Sequence, residues 1–209
     1  MDKPVAPVAR TAPRDLLFWL RWVIASTGAI LLGFGILYAS VFLAKAAVPG
    51  TNEDRLVGVL MFPVLATVLG ALQWLVIRTR IPKAGWWVLL TVVGMLAAMA
   101  LAPGVLQVIS HAMGRQWSGE SMPEVLPLYG FIGFMLALAQ LPVLWPHLSR
   151  AAFWPLTGIV GWVVLGLLMG KSIDIPWDIL TLGSVPAAFS GLGLIWLIRK
   201  PPSECSRSA

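Results

Sequence analysis

The sequence predicts an all-α integral membrane protein of about six transmembrane helices. Three observations predict it: the composition, the length of the uncharged apolar runs, and a self-similarity that returns 67 residues along the chain. Apolar residues make up 58% of the chain and charged residues 11%, with a mean hydropathy of +0.85; a soluble domain carries about 25% charge. Several uncharged runs approach the roughly 20 residues that cross a hydrocarbon core. A transmembrane β-barrel would alternate polar and apolar residues in segments of ~10, and no such segment occurs.

Residues 1–15 are Pro- and Ala-rich, basic and aperiodic, which reads as a flexible tail. The first helix is predicted over residues 16–44; its apolar stretch far exceeds the ~7–15 residues of a signal-peptide core, so Ala44-Lys45-Ala46 is read as uncleaved. Pro49, Gly50 and Asn52 mark a loop before the second helix, 56–77. Pro82 prevents a continuous helix, making 78–83 a tight basic turn into the third, 86–109, where Pro103-Gly104 predicts a kink or break. Ser110 to Glu124 is polar. The fourth helix, 125–144, is bounded by Pro142 and Pro146, and the fifth and sixth follow over 151–170 and 179–198. These six make a transmembrane domain over 16–199, followed by a polar tail, 200–209. Cys205, in that tail, is the one cysteine, which excludes an internal disulfide framework and a Cys-cluster metal site.

Shifting the sequence by 67 places puts Gln73 on Gln140, Val76 on Val143, Ala84 on Ala151, Trp87 on Trp154 and Gly94 on Gly161, without a gap. Fixed-period similarity signals a repeated unit, often an internally duplicated bundle in membrane proteins. Three helical hairpins are therefore expected: helices one–two, three–four and five–six. Trp22 with Ser26 and Gly28 echoes Trp87, Thr91 and Gly94 with a one-residue slip, and Ile195 to Arg199 echoes Gln73 to Arg78 without the Gln.

Lys and Arg set the orientation. Eleven of the fifteen fall in the two tails, near the tail-side helix ends and in the turns at 78–83 and 145–150; four (Lys45, Arg55, Arg115, Lys171) fall on the other side. Both termini are expected in the cytoplasm, with the protein in the plasma or inner membrane. The net charge of +6 is thus topological, with some attraction to anionic headgroups. A nucleic-acid partner would need a basic face with aromatics or a recognition helix, which is missing.

The candidate functional residues are few. No Asp, Glu, Lys, Arg or His lies in the middle of a predicted helix, which argues against proton relays, charged filters and intramembrane metalloproteases. No Ser-His pair, His-Glu-x-x-His or Gly-x-Ser-x-Gly occurs. Gln73 and Gln140, at equivalent repeat positions, are expected to hydrogen-bond between helices or to face a ligand, with Trp87 and Trp154 as the associated aromatics. Trp19, Trp22, Trp74, Trp86, Trp87, Trp145, Trp154 and Trp196 read as an interfacial belt. His111, Glu120, Glu124, Asp174 and Asp178 gather in the outer loops as a solvated surface, without diagnostic metal spacing; no cofactor or metal is expected. Every helix has small residues four apart, such as Gly94-Ala98-Ala102, Gly133-Ala137 and Gly183-Ala187-Gly191. Such faces let backbones approach closely.

The pattern Gly-x-x-Gln-Trp-Leu-Val-Ile-Arg, a short turn, then Ala-x-Trp-Trp-Val-x-x-x-Thr-x-x-Gly over Gly70 to Gly94 resembles a loose group of small bacterial multi-pass membrane proteins that repeat such segments and have no assigned activity. In the second copy, Gln140 to Gly161, Leu141 replaces the Trp and Trp145 the Arg. The resemblance implies a fold pattern and no mechanism.

The expected function is non-enzymatic: a scaffold or accessory subunit that packs with lipid, with another membrane protein, or with itself through the small-residue faces. The alternative is a binder or transporter of an uncharged lipophilic small molecule. Six helices in about 200 residues also suits, by analogy, the substrate-binding subunit of a multi-part vitamin transporter. A membrane enzyme using His111 and the outer acids is the third reading. A cavity of a few hundred Å³ lined by both glutamines would favour binding; a filled core would favour scaffolding.

Overall fold

The computed structural model describes residues 12–48, 52–81, 84–114, 122–169 and 175–199. Residues 1–11 and 200–209 of the expected tails lie outside the described residues, as do Lys83, Arg115, Gln116, Trp117, Glu120, Lys171 and Asp174. The six helices are α1 (Ala12–Ala47), α2 (Glu53–Ile77), α3 (Trp87–Met113), α4 (Met122–Leu144), α5 (Trp154–Met169) and α6 (Ile175–Ile198). All six are long and apolar enough to cross a membrane, and no strand occurs among the described residues.

Local chemistry accounts for the helix ends. Pro13 stands in the first turn of α1, where a missing N–H is tolerated, and Asp15 complements the helix dipole there. The helix consequently begins at Ala12, earlier than the expected Leu16. Asn52 caps α2 by accepting from the Arg55 N–H at 3.0 Å. Single 3-10 turns, Ala84–Trp86 and Ala151–Phe153, lead into α3 and α5. α3 ends at Gly114, whose φ of 62° lets its N–H turn back to the His111 and Ser110 carbonyls. The expected break at Pro103-Gly104 does not occur, and α3 continues helical to Met113. Pro103 removes one backbone donor, and the hydrogen bonds on either side suffice to carry the helix past it.

Each helix packs on its neighbours in chain order, and α6 returns against α1. The bundle is a closed six-membered ring. The starts of α1, α3 and α5 and the ends of α2, α4 and α6 share one end, called here the tryptophan end. There Asp15, buried at the start of α1, pairs with Arg199 after α6 at 3.1 Å and with Arg80 in the α2–α3 turn at 3.5 Å. At the opposite end Lys45 pairs with Glu53 at 2.5 Å across the α1–α2 loop.

The small-residue faces are consumed within the ring. Gly133 of α4 and Gly158 of α5 meet backbone to backbone; a Cβ at Gly158 would stand 2.5 Å from the Gly133 carbonyl oxygen and 2.9 Å from Ala137 Cβ. At the seam between α6 and α1, a Cβ at Gly183 would lie 2.7 Å from Thr27 Cα. These approaches are closer than any side chain permits, and they draw the helices together where hydrophobicity cannot. Gly133→Val should therefore lower stability by about 1–3 kcal/mol or more through overpacking against backbone. Gly85→Ala, with nothing within 4 Å of its added Cβ, should shift stability by less than about 0.5 kcal/mol. Thermal unfolding of the detergent-solubilised variants tests the contrast.

Candidate ligand cavity

The interior differs at its two ends. At the tryptophan end the core is filled: Trp22, Trp87 and Trp154, from α1, α3 and α5, are 1%, 0% and 2% exposed and pack with Phe18, Ile77, Leu144, Leu194 and Leu197. Trp22 meets Trp87 edge-on at 5.9 Å between ring centroids, and Trp87 meets Trp154 at 6.1 Å. This corrects the expectation that all eight tryptophans form an interfacial belt. Trp86, Trp145 and Trp196 are exposed and suit a belt, whereas these three are core. An aromatic near a helix end satisfies both roles by composition, and only its rotational position on the helix separates them.

Each buried indole donates to the helix preceding it in the ring. Trp87 Nε1 donates to Gln73 Oε1 of α2 at 3.2 Å, and Trp154 Nε1 donates to Gln140 Oε1 of α4 at 3.2 Å; both pairs are 14 residues apart in sequence. Trp22 Nε1 donates to Ser190 Oγ of α6 at 3.1 Å. The amides extend the chain one helix further. Gln73 Nε2 donates to Ser26 Oγ of α1 at 3.1 Å, and Gln140 Nε2 donates to Thr91 Oγ1 of α3 at 2.9 Å. Thr91 in turn donates to the Trp87 carbonyl at 2.8 Å. On α6 a serine stands in for the amide; it is too short to continue and donates to its own helix at Ala187 O, 3.3 Å away. The network thus joins α5 to α4 to α3, α3 to α2 to α1, and α1 to α6; among the described residues no link of this kind crosses the α5–α6 seam.

Above this floor the bundle is hollow. A cavity of about 380 Å³ runs along the axis and is lined by all six helices. On α1 its wall extends from Trp22 through Ser26 to Phe34, and on α2 from Gln73 to Met61, about 18 Å at the helical rise. Leu65, Met95, Met99, Ile132 and Leu182 make the walls apolar, with Tyr129 and Trp162 beside them, their rings tilted by 36° and 6.2 Å apart between centroids. The volume lies within the ~300–1,000 Å³ range of small-molecule pockets.

Of the four residues predicted for a site, Gln73, Gln140 and Trp154 line the cavity. Trp87 does not: it lies beneath the floor, where it holds the Gln73 carbonyl. An amide has two N–H donors and two acceptor lone pairs. Each glutamine uses one of each within the network, so one donor and one acceptor per amide remain for an occupant. Ser26 also lines the cavity and accepts from Gln73, leaving its own O–H. Pro186 has no N–H for the Leu182 carbonyl, and both residues line the same space.

Trp22, Ser26 and Ser190 were not singled out as site residues in the sequence. Their signal is present in part: Ser26 follows Trp22 by four residues as Thr91 follows Trp87. Ser190 gave none, being neither an amide nor in register with Gln73. Of the outer polar residues, His111 is exposed and Asp178 stands in the first turn of α6, while Glu120, Asp174 and the Glu124 side chain lie outside what the structure describes. Among the described residues no group of three His, Cys, Asp or Glu forms a metal site.

Comparison with family models, with curated proteins and with solved structures finds no match.

Replacing Gln140 by Leu removes an acceptor from Trp154 and a donor to Thr91, leaving a buried indole N–H unpaired. This should cost about 1–3 kcal/mol. In the double variant Gln140→Leu/Trp154→Phe that orphan disappears, so the combined loss should fall short of the sum of the single losses, as read from thermal or denaturant unfolding.

Proposed function

We propose that this chain binds an uncharged, lipophilic small molecule in its central cavity, as a membrane binding or transport subunit rather than an enzyme. The observation that carries the reading is the cavity of about 380 Å³ with apolar walls and two glutamines at one end. The ligand's apolar body lies along Phe34, Leu65, Met99 and Ile132, and its polar end meets Gln73, Gln140 and Ser26. Neutrality follows from the lining, which among the described residues holds no Asp, Glu, Lys, Arg or His; a charged group there would be desolvated without a counter-charge. The hydrogen-bonding end accounts for orientation and selectivity, since a buried donor or acceptor left unpaired disfavours an analogue lacking its partner.

The small-residue faces, one of the three grounds for the scaffold reading, pack within the ring at Gly133, Gly158 and Gly183. Two further elements belong to the proposal. The first is an internal duplication of the helix–turn–helix units around Gln73–Trp87 and Gln140–Trp154, supported by the identical 14-residue spacing of their hydrogen bonds. A third, diverged unit is formed by α6 and α1 around Ser190 and Trp22. The second is an inner-membrane location with both termini cytoplasmic. It is supported by the gathering of Arg14, Arg21, Arg78, Arg80, Arg150 and Arg199 at the tryptophan end.

Native mass spectrometry of the protein gently extracted from its host membrane tests the reading. A reproducible small-molecule adduct is expected on the wild type and should be lost in Gln73→Ala and Gln140→Ala. Ala102→Leu, which narrows the cavity without touching the hydrogen-bond network, should reduce the adduct with little change in stability. A protein that carries only ordinary lipids, or an adduct indifferent to all three substitutions, would restore the scaffold reading.

A further inference from the structure

A second groove lies on the outside of the ring, between α1 and α2 at the tryptophan end. On α1 it is lined by Arg14, Leu17, Arg21 and Ile24, on α2 by Leu75, and in the turn after α2 by Thr79 and Arg80. Positions 14, 17, 21 and 24 fall on one helical stripe, so the two arginines alternate with the two apolar side chains. Leu17, Ile24 and Leu75 are all exposed. In a helix apolar enough to cross a membrane, they face lipid.

Arg21 is therefore a cation set among lipid-facing apolar residues. None of the described carboxylates pairs with Arg14 or Arg21. Asp15, the acid nearest to them in sequence, is held by Arg199 and Arg80. Arg80 is further held over the Phe18 ring at 5.3 Å and on the Arg14 carbonyl at 3.2 Å. Two guanidinium groups thus stand over an apolar groove with no carboxylate partner among the described residues. An arginine at this depth extends its head toward the headgroup layer while its stem covers apolar surface, and guanidinium pairs bidentately with phosphate.

We propose that this groove binds one anionic phospholipid, with its phosphate between Arg14 and Arg21 and an acyl chain along Leu17, Ile24 and Leu75. Two cations and no available acid favour a lipid of net negative charge over a zwitterionic one. The site is separate from the central cavity and does not depend on a ligand binding there.

The test is native mass spectrometry of the full chain in detergent, with phosphatidylglycerol and phosphatidylcholine added in equal amounts. Wild type should retain one phosphatidylglycerol in preference to phosphatidylcholine. Each of Arg14→Gln and Arg21→Gln should weaken that retention about fivefold, the value of one basic side chain near an anionic surface, without changing retention of phosphatidylcholine. Both side chains are exposed, so thermal stability in lipid-free detergent should match wild type, and stabilisation by added phosphatidylglycerol should be lost in the double variant. Arg150→Gln, at the same end but stacked on Trp196 at 4.9 Å, should behave as wild type. Unchanged retention in the double variant would overturn the proposal. So would an equal loss in Arg150→Gln, which would make the effect one of general positive charge. Displacement of the lipid by excess inorganic phosphate would assign the arginines to free phosphate instead.

Discussion

Three indole N–H groups lie inside a bundle whose helices carry no charge at their middle positions, and each must find an acceptor on another helix. In a hydrocarbon surrounding, water cannot take that place at modest cost. Gln73, Gln140 and Ser190 supply the acceptors, all from even-numbered helices, while the tryptophans all come from odd-numbered ones. The consequence is a directional network in which every indole points to the preceding helix. It sets the rotation of α1, α3 and α5 about their axes, since turning any of them would leave a buried donor unpaired and cost about 1–3 kcal/mol.

Once the tryptophan end is set in this way, the rest of the interior follows from volume. Large rings fill the floor. Further along the axis the lining is mostly methionine, leucine and isoleucine with Phe34, Phe62, Tyr129 and Trp162, and six helices surround more space than these side chains occupy. Close glycine contacts hold neighbouring backbones together around the circumference, so the ring stays closed without filling its centre. A chamber with a polar floor and apolar walls results from these two packing modes. It is this contrast that turns two structural amides into a candidate recognition surface: their inward valences complete the bundle and their remaining ones meet the chamber.

Much of this architecture was legible in the residues. Helix extents come, to within a few residues, from run length and from Pro82. The pairing of Gln73 with Trp87 and of Gln140 with Trp154 is foreshadowed by their matching positions at a fixed shift. Trp22 was misjudged because an interfacial ring and a core ring have the same composition near a helix end. The break expected as one alternative at Pro103 fails to form for a different reason: a single missing backbone bond is a local cost, and the remaining bonds of α3 outweigh it. Ser190 was beyond reach, because any small hydroxyl can accept an indole N–H if the neighbouring helix delivers it to the right place.

The sequence by itself determined the number of helices, their approximate extents and the absence of charge from their middles. These depend on apolar run length and on local backbone chemistry, which neighbouring residues carry. The tertiary structure decided which faces turn inward, that α6 closes on α1, and that the centre remains open above the tryptophans. Those outcomes depend on the mutual rotation of six helices, and each rotation is set by partners far away in the chain: Gln73 with Ser26, Gln140 with Thr91, and Trp22 with Ser190, 168 residues distant.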